Sequence, residues 1–239
     1  SHGSSFQKTF MGAAAAGEGL NVEDVFSTYL YEGNGSTQTI TNGIDLSGEG
    51  GLTWIKNRDA TDSHILTDTA RGVTKVLKSN TPVVAETTDA DTVTAFSSTG
   101  FSLGDDVKVN TNNESYCAWT FRKAPKFFDI VTYTGNGTAG RTVSHNLGSV
   151  PGFMILKRID EGTSWAIYHR GLNGGSSPED FVLVFDTDAQ ADYDGAFNDT
   201  APTATEFTVG NWASVNNSGS SFIAYLFAHN DGDGEFGPD

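Results

Sequence analysis

The sequence predicts an all-β protein built as two tandem antiparallel β-sandwich repeats, of jelly-roll or lectin-like type, that follow a short N-terminal arm. Three observations predict this class. The 239 residues include 28 glycines and 11% aromatic residues, a composition that suits short strands joined by turns better than long helices. Short apolar runs such as TWIK and FVLVF are separated by turn signals such as NGST and NGGSSP. The pattern Tyr-x-Gly-Asn-Gly also occurs twice, at 31–35 and at 133–137.

The second half of the chain repeats the first half in the same order. After the two pentapeptides, LTWIKNR (52–58) aligns with FMILKRI (153–159), and NTNNESYCAWTFRK (110–123) aligns with NNSGSSFIAYLFAH (216–229). Matching blocks in series indicate a tandem duplication of one structural unit. The predicted segments are a Gly/Ala-rich N-terminal arm at 1–25, a first β-sandwich repeat at 26–124, a second β-sandwich repeat at 125–229 and an acidic Gly-rich tail at 230–239.

Alternation within the repeats predicts central strands that are buried on both faces. In SYCAWTF, Tyr116 and Ala118 point to one face of a strand, and Trp119 and Phe121 point to the other. FIAYLFA in the second repeat has the same pattern. Because both faces carry bulky apolar side chains, we expect each of these strands to have packed layers above and below it.

Each Tyr-x-Gly-Asn-Gly pentapeptide predicts a strand that ends near the tyrosine and is followed by a tight turn. Glycine and asparagine adopt positive φ angles at little cost. A phosphate-binding loop is the functional alternative, but no Lys-Ser/Thr pair and no helical pattern follow the glycines. We therefore expect a structural turn in both repeats.

The net charge of −16, from 14 basic and 30 acidic residues, argues against two classes of partner. Nucleic-acid binding needs clustered Lys and Arg, and an anionic membrane surface attracts the same residues. The sequence also contains no apolar run long enough to cross a bilayer. We expect neither nucleic-acid binding nor membrane insertion.

No catalytic residue is predicted. The five histidines lie in no recognised nucleophile motif, and His and Cys do not occur at the spacing of a zinc site. The single cysteine, Cys117, lies in an apolar run and is interpreted as a core residue. Glycosidases use two facing carboxylates, and the sequence alone does not single out such a pair among 30 acidic residues.

A candidate metal site lies near the C-terminal end of the sequence. Asp231, Asp233 and Glu235 alternate with glycines in HNDGDGEFGPD, and closely spaced carboxylates can surround a hard cation such as Ca²⁺. The EF-hand pattern is not completed. An acidic linker that binds no metal is the alternative interpretation, and no other cofactor is predicted.

Several longer segments resemble a known group of viral proteins. YTGNGTAGRTVSHNLGSVPGFMILKR, WAIYHRGLNG, YCAWTFRKAPKFFDIVTYTGNG and YLFAHNDGDGEFG are similar to segments of virion structural proteins of marine phages, especially cyanophages. That family includes tail-fibre-like proteins with tandem SPRY/lectin-like β-sandwich repeats. The resemblance implies a location on the virion surface, other virion proteins as partners and assembly into homo-oligomers. It carries no catalytic motif to this chain.

These observations favour a non-enzymatic virion structural protein, such as a tail fibre, an appendage or a capsid decoration, that contacts host surface glycans. Exposed aromatic rings beside Asn and Asp side chains bind sugars, and the candidates are Trp212, Tyr193 and Trp165. Trp165 lies in an apolar alternation that also favours a core position. The alternatives are a purely architectural assembly module and, less favoured, a depolymerase that degrades polysaccharide.

Overall fold

A computed structural model describes residues 20–81, 84–185 and 189–229 and shows an all-β chain, as predicted. Four short helices and two 3-10 turns complete it, and no helix among the described residues has the length and apolar character that a membrane crossing needs. The strands are β1 Phe26–Glu32, β2 Gln38–Thr41, β3 Gly51–Asn57, β4 Ile65–Asp68, β5 Lys75–Val76, β6 Thr87–Thr88, β7 Val93–Ser97, β8 Gly100–Leu103, β9 Ser115–Arg122, β10 Phe128–Thr134, β11 Arg141–Ser144, β12 Pro151–Arg158, β13 Ala166–His169, β14 Phe181–Val184, β15 Ala191–Asp192, β16 Glu206–Val209 and β17 Ser221–Ala228. The helices are α1 Val22–Val25, α2 Val107–Asn110, α3 Asp194–Phe197 and α4 Ala213–Asn216, and the 3-10 turns are Leu172–Gly175 and Pro178–Asp180.

The first repeat is an antiparallel sandwich of two main sheets, and a short two-stranded sheet, β5-β6, lies beside β4. Its larger sheet has the strand order β1-β9-β3-β4, and its smaller sheet has the order β2-β8-β7. Apolar side chains from both sheets form one buried cluster, in which Ile40 and Phe101 of the smaller sheet meet Ile55, Ile65 and Tyr116 of the larger one. The alternating pattern of these strands therefore places one face of each sheet in a shared core.

The second repeat has the same two layers. Its larger sheet runs β10-β17-β12-β13 and continues into β14 and β15, and β11 pairs with β16 in the smaller sheet. A second buried cluster joins Val143 and Phe207 of the smaller sheet to Leu156, Phe222 and Leu226 of the larger one.

A third core lies between the repeats, where the two larger sheets face each other. Leu52 and Leu66 of the first repeat belong to the same buried cluster as Ile130, Ile223 and Tyr225 of the second. The described residues therefore form four β layers with three apolar cores between them. We refer to the two larger sheets as the inner sheets and to the surfaces they turn towards each other as the inner faces.

The position of strand β17 between two cores explains why its sequence is apolar at nearly every position. Phe222 and Leu226 pack in the core of the second repeat, whereas Ile223 and Tyr225 pack in the core between the repeats. Successive side chains of a strand point to opposite faces, so a strand at the centre of an inner sheet needs apolar residues on both. The predicted two-sided burial is confirmed for this strand.

Strand pairing follows the same register in both repeats. Tyr31 lies opposite Tyr116 in the β1–β9 pair, and Tyr133 lies opposite Phe222 in the β10–β17 pair. These are the positions that the sequence alignment matched with each other. The boundaries of the four predicted segments stay a prediction, since residues 1–19 and 230–239 lie outside the described part of the chain.

The first Tyr-x-Gly-Asn-Gly pentapeptide is clasped by a buried asparagine at the end of α2. Asn110 is fully buried, and its Oδ1 atom accepts a hydrogen bond from the backbone N–H of Asn34 at 2.9 Å. Its amide group donates to Asn34 Oδ1 at 3.2 Å. The Tyr31 hydroxyl donates to the carbonyl of Val109 at 2.7 Å, and Gly35 takes a φ of +65°, which favours glycine.

The second pentapeptide is held in the same way by Asn216 at the end of α4. Asn216 Oδ1 accepts from the backbone N–H of Asn136 at 2.9 Å, and its amide group donates to Asn136 Oδ1 at 3.1 Å. The Tyr133 hydroxyl donates to the carbonyl of Val215 at 2.7 Å, and Gly137 has a φ of +73°. The repeated pentapeptide is therefore a structural turn docked on one buried amide, and we call this arrangement the Tyr–Asn clasp.

We expect Asn110→Ala and Asn216→Ala each to lower the free energy of unfolding by about 3 kcal/mol, because each removes several buried hydrogen bonds and leaves backbone groups unpaired. Asn112→Ala is the matched control, since Asn112 is exposed, and its effect should stay within about 0.5 kcal/mol. Urea unfolding of the three variants measures this. Effects on Asn110 and Asn216 as small as that of the control would contradict the role of the clasp.

A buried ionic network joins the two inner sheets. The Arg71 side chain is 3% exposed, and its Nε atom lies 2.6 Å from Oδ2 of the fully buried Asp68. Its Nη1 atom lies 3.2 Å from Glu86 Oε2. Tyr225, which comes from the second repeat, donates its hydroxyl proton to Asp68 Oδ2 at 2.7 Å and accepts from Arg71 Nη2 at 3.3 Å. Burial raises the pKa of Tyr225 well above its usual value, so the hydroxyl stays protonated and remains a donor.

We expect Arg71→Met to lower the free energy of unfolding by about 3 to 5 kcal/mol, because it leaves the Asp68 carboxylate buried without its cation. Lys75→Met is the control. Lys75 also lies near Glu86, at 3.8 Å, but its side chain is 40% exposed, and exposed ion pairs contribute less than about 1 kcal/mol. Chemical denaturation of both variants tests this. If Arg71→Met lowered the free energy of unfolding as little as Lys75→Met does, the role of the network in holding the inner sheets together would be contradicted.

Candidate functional site

Two of the three predicted ligand-binding residues lie in contact at the surface of the second repeat. The rings of Tyr193 and Trp212 are 5.6 Å apart between centroids and meet edge to face at 82°. Tyr193 is 40% exposed, and Trp212 is half-buried with one part packed on the core of the second repeat. We call this arrangement the Tyr193–Trp212 pair.

Backbone contacts between α3 and the segment that precedes α4 place the two rings together. The backbone N–H of Trp212 donates to the carbonyl of Gly195 at 2.9 Å, and Gly210 donates to Ala196 at 2.9 Å. The Tyr193 ring lies directly on Gly195, where a Cβ atom would be only 2.5 Å from the ring carbon Cζ. A side chain at position 195 would therefore push the tyrosine ring away from Trp212.

The surroundings of the Tyr193–Trp212 pair are acidic. Asp194 is the first residue of α3 and follows Tyr193 directly. The pKa of the Asp199 carboxyl is raised, first by loss of hydration and then by the negative charges of Asp180, Asp194 and Asp192. This local field disfavours an anionic ligand and leaves carboxylate oxygens available to accept hydrogen bonds from hydroxyl groups.

Trp165, the third predicted residue, lies in the core between the repeats. It is fully buried, its ring centroid lies 5.6 Å from that of Phe185, and Lys157 Nζ lies 5.8 Å from the ring centre. A ligand has no access to this ring. The assignment of Trp165 to a ligand site is therefore corrected, and the apolar alternation around it indicated its position better than its residue type did.

The predicted metal ligands Asp231, Asp233 and Glu235 lie outside the described residues. Within residues 20–81, 84–185 and 189–229, no three His, Cys, Asp or Glu side chains are grouped closely enough to hold a metal ion. Cys117 is buried, and burial raises the pKa of its thiol, which disfavours the reactive thiolate.

A second aromatic surface lies on the inner face of the first repeat and was not predicted as a site. One concavity of about 320 Å³ is lined by Trp54, His64, Trp119 and Phe121. An adjoining concavity of about 260 Å³ shares Trp54 and His64 and adds Ser79, Asn80 and Phe185. We call the two together the Trp54 groove. Trp54 meets Trp119 at 82° with centroids 6.4 Å apart, so the rings form walls that stand nearly at right angles.

A hydrogen bond fixes the two residues that both concavities share. Trp54 Nε1 donates to His64 Nδ1 at 2.8 Å, so Nδ1 is an acceptor and the proton of the neutral imidazole lies on Nε2. Burial, and then the positive charge of Lys56, lower the pKa of His64 below its usual value. The imidazole is therefore neutral at pH 7 and can keep the Trp54 hydrogen bond.

A comparison of the two repeats could have indicated the groove. By the alignment of 52–58 with 153–159, Trp54 corresponds to Ile155. The matching register of the β3–β4 and β12–β13 pairs makes His64 equivalent to Trp165. Ile155 and Trp165 are both buried between the inner sheets, whereas Trp54 and His64 are half-buried. The first repeat thus has the polar residue His64 where the second has the apolar residue Trp165. This difference marks the place where the inner face of the first repeat is not fully covered.

The fold and these surfaces define a class, an all-β protein of four packed layers with aromatic clusters at its surface. The chain belongs to the DUF7483 family, which is described as a domain of unknown function, and the family model matches residues 21–238. No curated protein and no solved structure matches the chain.

We expect His64 to titrate with a midpoint below about 6.5, the value of an unperturbed histidine. Because the folded-state pKa is lowered, the stability that neutral His64 contributes is complete above about pH 6.5 and is lost as the pH falls through the folded-state pKa. NMR titration of the His64 ring and the Trp54 indole N–H should give one shared midpoint, since a protonated imidazole cannot accept the Trp54 proton. Lys56→Gln should raise that midpoint. A midpoint at or above 6.5 in the unaltered chain would contradict this account.

Proposed function

We propose that this chain is a non-enzymatic structural protein of a phage particle, part of a tail fibre, an appendage or a capsid decoration, and that it contacts glycans of the host surface. The observation that carries the glycan contact is the Tyr193–Trp212 pair, which holds two aromatic rings in a fixed edge-to-face arrangement at the surface. The location on the virion, its protein partners and its assembly into homo-oligomers belong to the same proposal and rest on the resemblance of the sequence to phage virion proteins.

The chemistry of the Tyr193–Trp212 pair suits a sugar. One face of a pyranose ring consists mainly of C–H groups, which pack on aromatic rings, and its hydroxyl groups need hydrogen-bond partners at the edge. Asp192 and Asp194 flank Tyr193 in the chain and carry acceptor oxygens, and both act electrostatically on Asp199. The acidic field favours neutral sugars over sulfated or uronic ones.

The four-layer scaffold supports a display role. Three apolar cores and the buried Arg71–Asp68–Tyr225 network hold the sheets in one arrangement, while the loop between β15 and β16 carries Tyr193. Loops on a rigid scaffold can present binding residues without changing the fold.

A purely architectural role is the second candidate, and one observation favours it. Strand β1 lies at the edge of its inner sheet, and Leu30 on that strand is 60% exposed. An edge strand with an exposed apolar residue is a surface at which another chain can pair. Under this alternative the chain would assemble with other virion proteins without binding glycans.

Binding of the purified chain to a glycan array and to host cells tests the proposal. We expect Tyr193→Ala and Trp212→Ala each to weaken binding at least about tenfold, equivalent to ~1.4 kcal/mol. Gly195→Ala should have a similar effect although it removes no ring, because the added methyl group displaces Tyr193. Val107→Ala is the control, since Val107 is 57% exposed on α2 of the first repeat and lies outside the pair.

Melting temperatures of the variants separate lost binding from lost folding, because part of Trp212 packs on the core. Unchanged glycan binding in folded Tyr193→Ala and Gly195→Ala variants would remove the pair from the site. Particles that assemble normally but bind no glycan would favour the architectural role. Release of reducing sugar ends from host polysaccharide by the purified chain would overturn the non-enzymatic assignment.

A further inference from the structure

At one pair of equivalent positions, the inner faces of the two repeats are covered to different extents. Trp54 and Trp119 lie opposite each other in the first repeat, as Ile155 and Tyr225 do in the second. Ile155 and Tyr225 are at most 1% exposed, because the inner sheet of the first repeat covers them. Trp54 and Trp119 are only half-buried, so part of the first inner face remains open to solvent.

The open part is concave rather than flat. Trp54 stands at 82° to Trp119 and at 62° to Phe185, so its ring separates the two concavities of about 320 and 260 Å³. Concavities of this size suit a small ligand, whereas contacts between proteins are usually made by broader and flatter surfaces. The shape therefore favours a small molecule over a second copy of the chain.

The two sides of the groove differ in polarity. Trp119 and Phe121 form the apolar side. On the other side, Ser79 and Asn80 carry hydroxyl and amide groups. The bond from Trp54 leaves the proton of His64 on Nε2, and among the described residues no acceptor is hydrogen-bonded to that nitrogen. The His64 Nε2 donor thus belongs to a groove with the apolar side chains of Trp119 and Phe121 on one side and the polar side chains of Ser79 and Asn80 on the other.

We propose that the Trp54 groove is a saccharide-binding site that takes one neutral pyranose ring, separate from the Tyr193–Trp212 pair. The C–H face of the sugar packs on Trp119 and Trp54, and its hydroxyl groups bond to His64 Nε2, Ser79 and Asn80. The positive charge of Lys56 beside His64 opposes a cationic ligand, and the overall charge of −16 opposes an anionic one.

The four tryptophans allow one experiment to test both proposed sites separately. Each indole N–H gives its own NMR signal, and single substitutions assign the signals to Trp54, Trp119, Trp165 and Trp212. The full chain is titrated with a panel of neutral methyl pyranosides up to about 50 mM, which detects dissociation constants in the millimolar range. We expect the Trp54 and Trp119 signals to shift with one shared binding curve, while the buried Trp165 stays unchanged.

Two variants probe the two sides of the groove. Trp119→Ala removes part of the apolar wall, and His64→Phe keeps a ring but removes the Nε2 donor. We expect each to weaken binding of the methyl pyranoside at least about tenfold, as read from the Trp54 signal. His64→Phe keeps the test valid should Trp119→Ala fail to fold. Val107→Ala, at an exposed position of α2, should leave the affinity unchanged.

Three results would overturn the proposal. The first is the absence of any shift at Trp54 and Trp119 with every sugar of the panel. The second is a shift of these signals with protein concentration alone, which would assign the groove to contact with a second copy. The third is a shift on removal of residues 1–19 without sugar, which would assign the groove to that segment. A shift confined to Trp212 would support the Tyr193–Trp212 pair and reject the Trp54 groove.

Discussion

The packing of the two inner sheets against each other is the constraint on which the rest of the structure depends. Strand β17 contributes apolar residues to two cores at once, so the second repeat alone would expose Ile223, Tyr225 and Trp165 to water. Burying those faces is favourable but sets no orientation, since apolar contact is non-directional. The Arg71–Asp68–Tyr225 network crosses the interface with directed hydrogen bonds, and its desolvation is offset only when all its members are in place. Apolar burial therefore supplies the stability, and the network selects one arrangement of the repeats.

The two copies of the duplicated unit are under different structural constraints. Both must form the Tyr–Asn clasp, because each sandwich needs its own turn docked on α2 or α4, and both have kept it. In the second copy, Ile155 and Trp165 on the inner face are buried. The first copy carries Trp54 and His64 at the equivalent positions, where solvent reaches the side chains. Sequence divergence between the repeats thus follows the local difference in burial, and the open part is where a new chemical role can arise without loss of the fold.

The sequence predicted the features that depend on local pattern. The all-β class and the two-sided burial of β17 followed from alternation, and the turn at Tyr-x-Gly-Asn-Gly followed from its glycines. The role of Asn110 was missed because its partners are distant in the chain, and no local signal marks an asparagine as buried. Trp212 and Trp165 could not be separated by residue type, since their exposure depends on how the layers pack. The Trp54 groove was missed for the same reason, because it forms only when Trp54 of the first repeat and Phe185 of the second are brought together.

The two aromatic surfaces differ in their electrostatic surroundings. Asp192 and Asp194 flank Tyr193, and the Asp180 carbonyl accepts from its backbone N–H, whereas Lys56 is the charge that acts on His64 in the Trp54 groove. A hydroxyl-rich ligand meets acceptors at the pair, but at the groove it meets the His64 donor together with hydroxyl and amide groups. Aromatic rings supply a similar apolar contact at both surfaces and so discriminate little between sugars. Under the two proposals, selectivity would come from the polar groups at the edge of each surface. Because these groups differ, the two surfaces would then prefer different sugars or different faces of one polysaccharide.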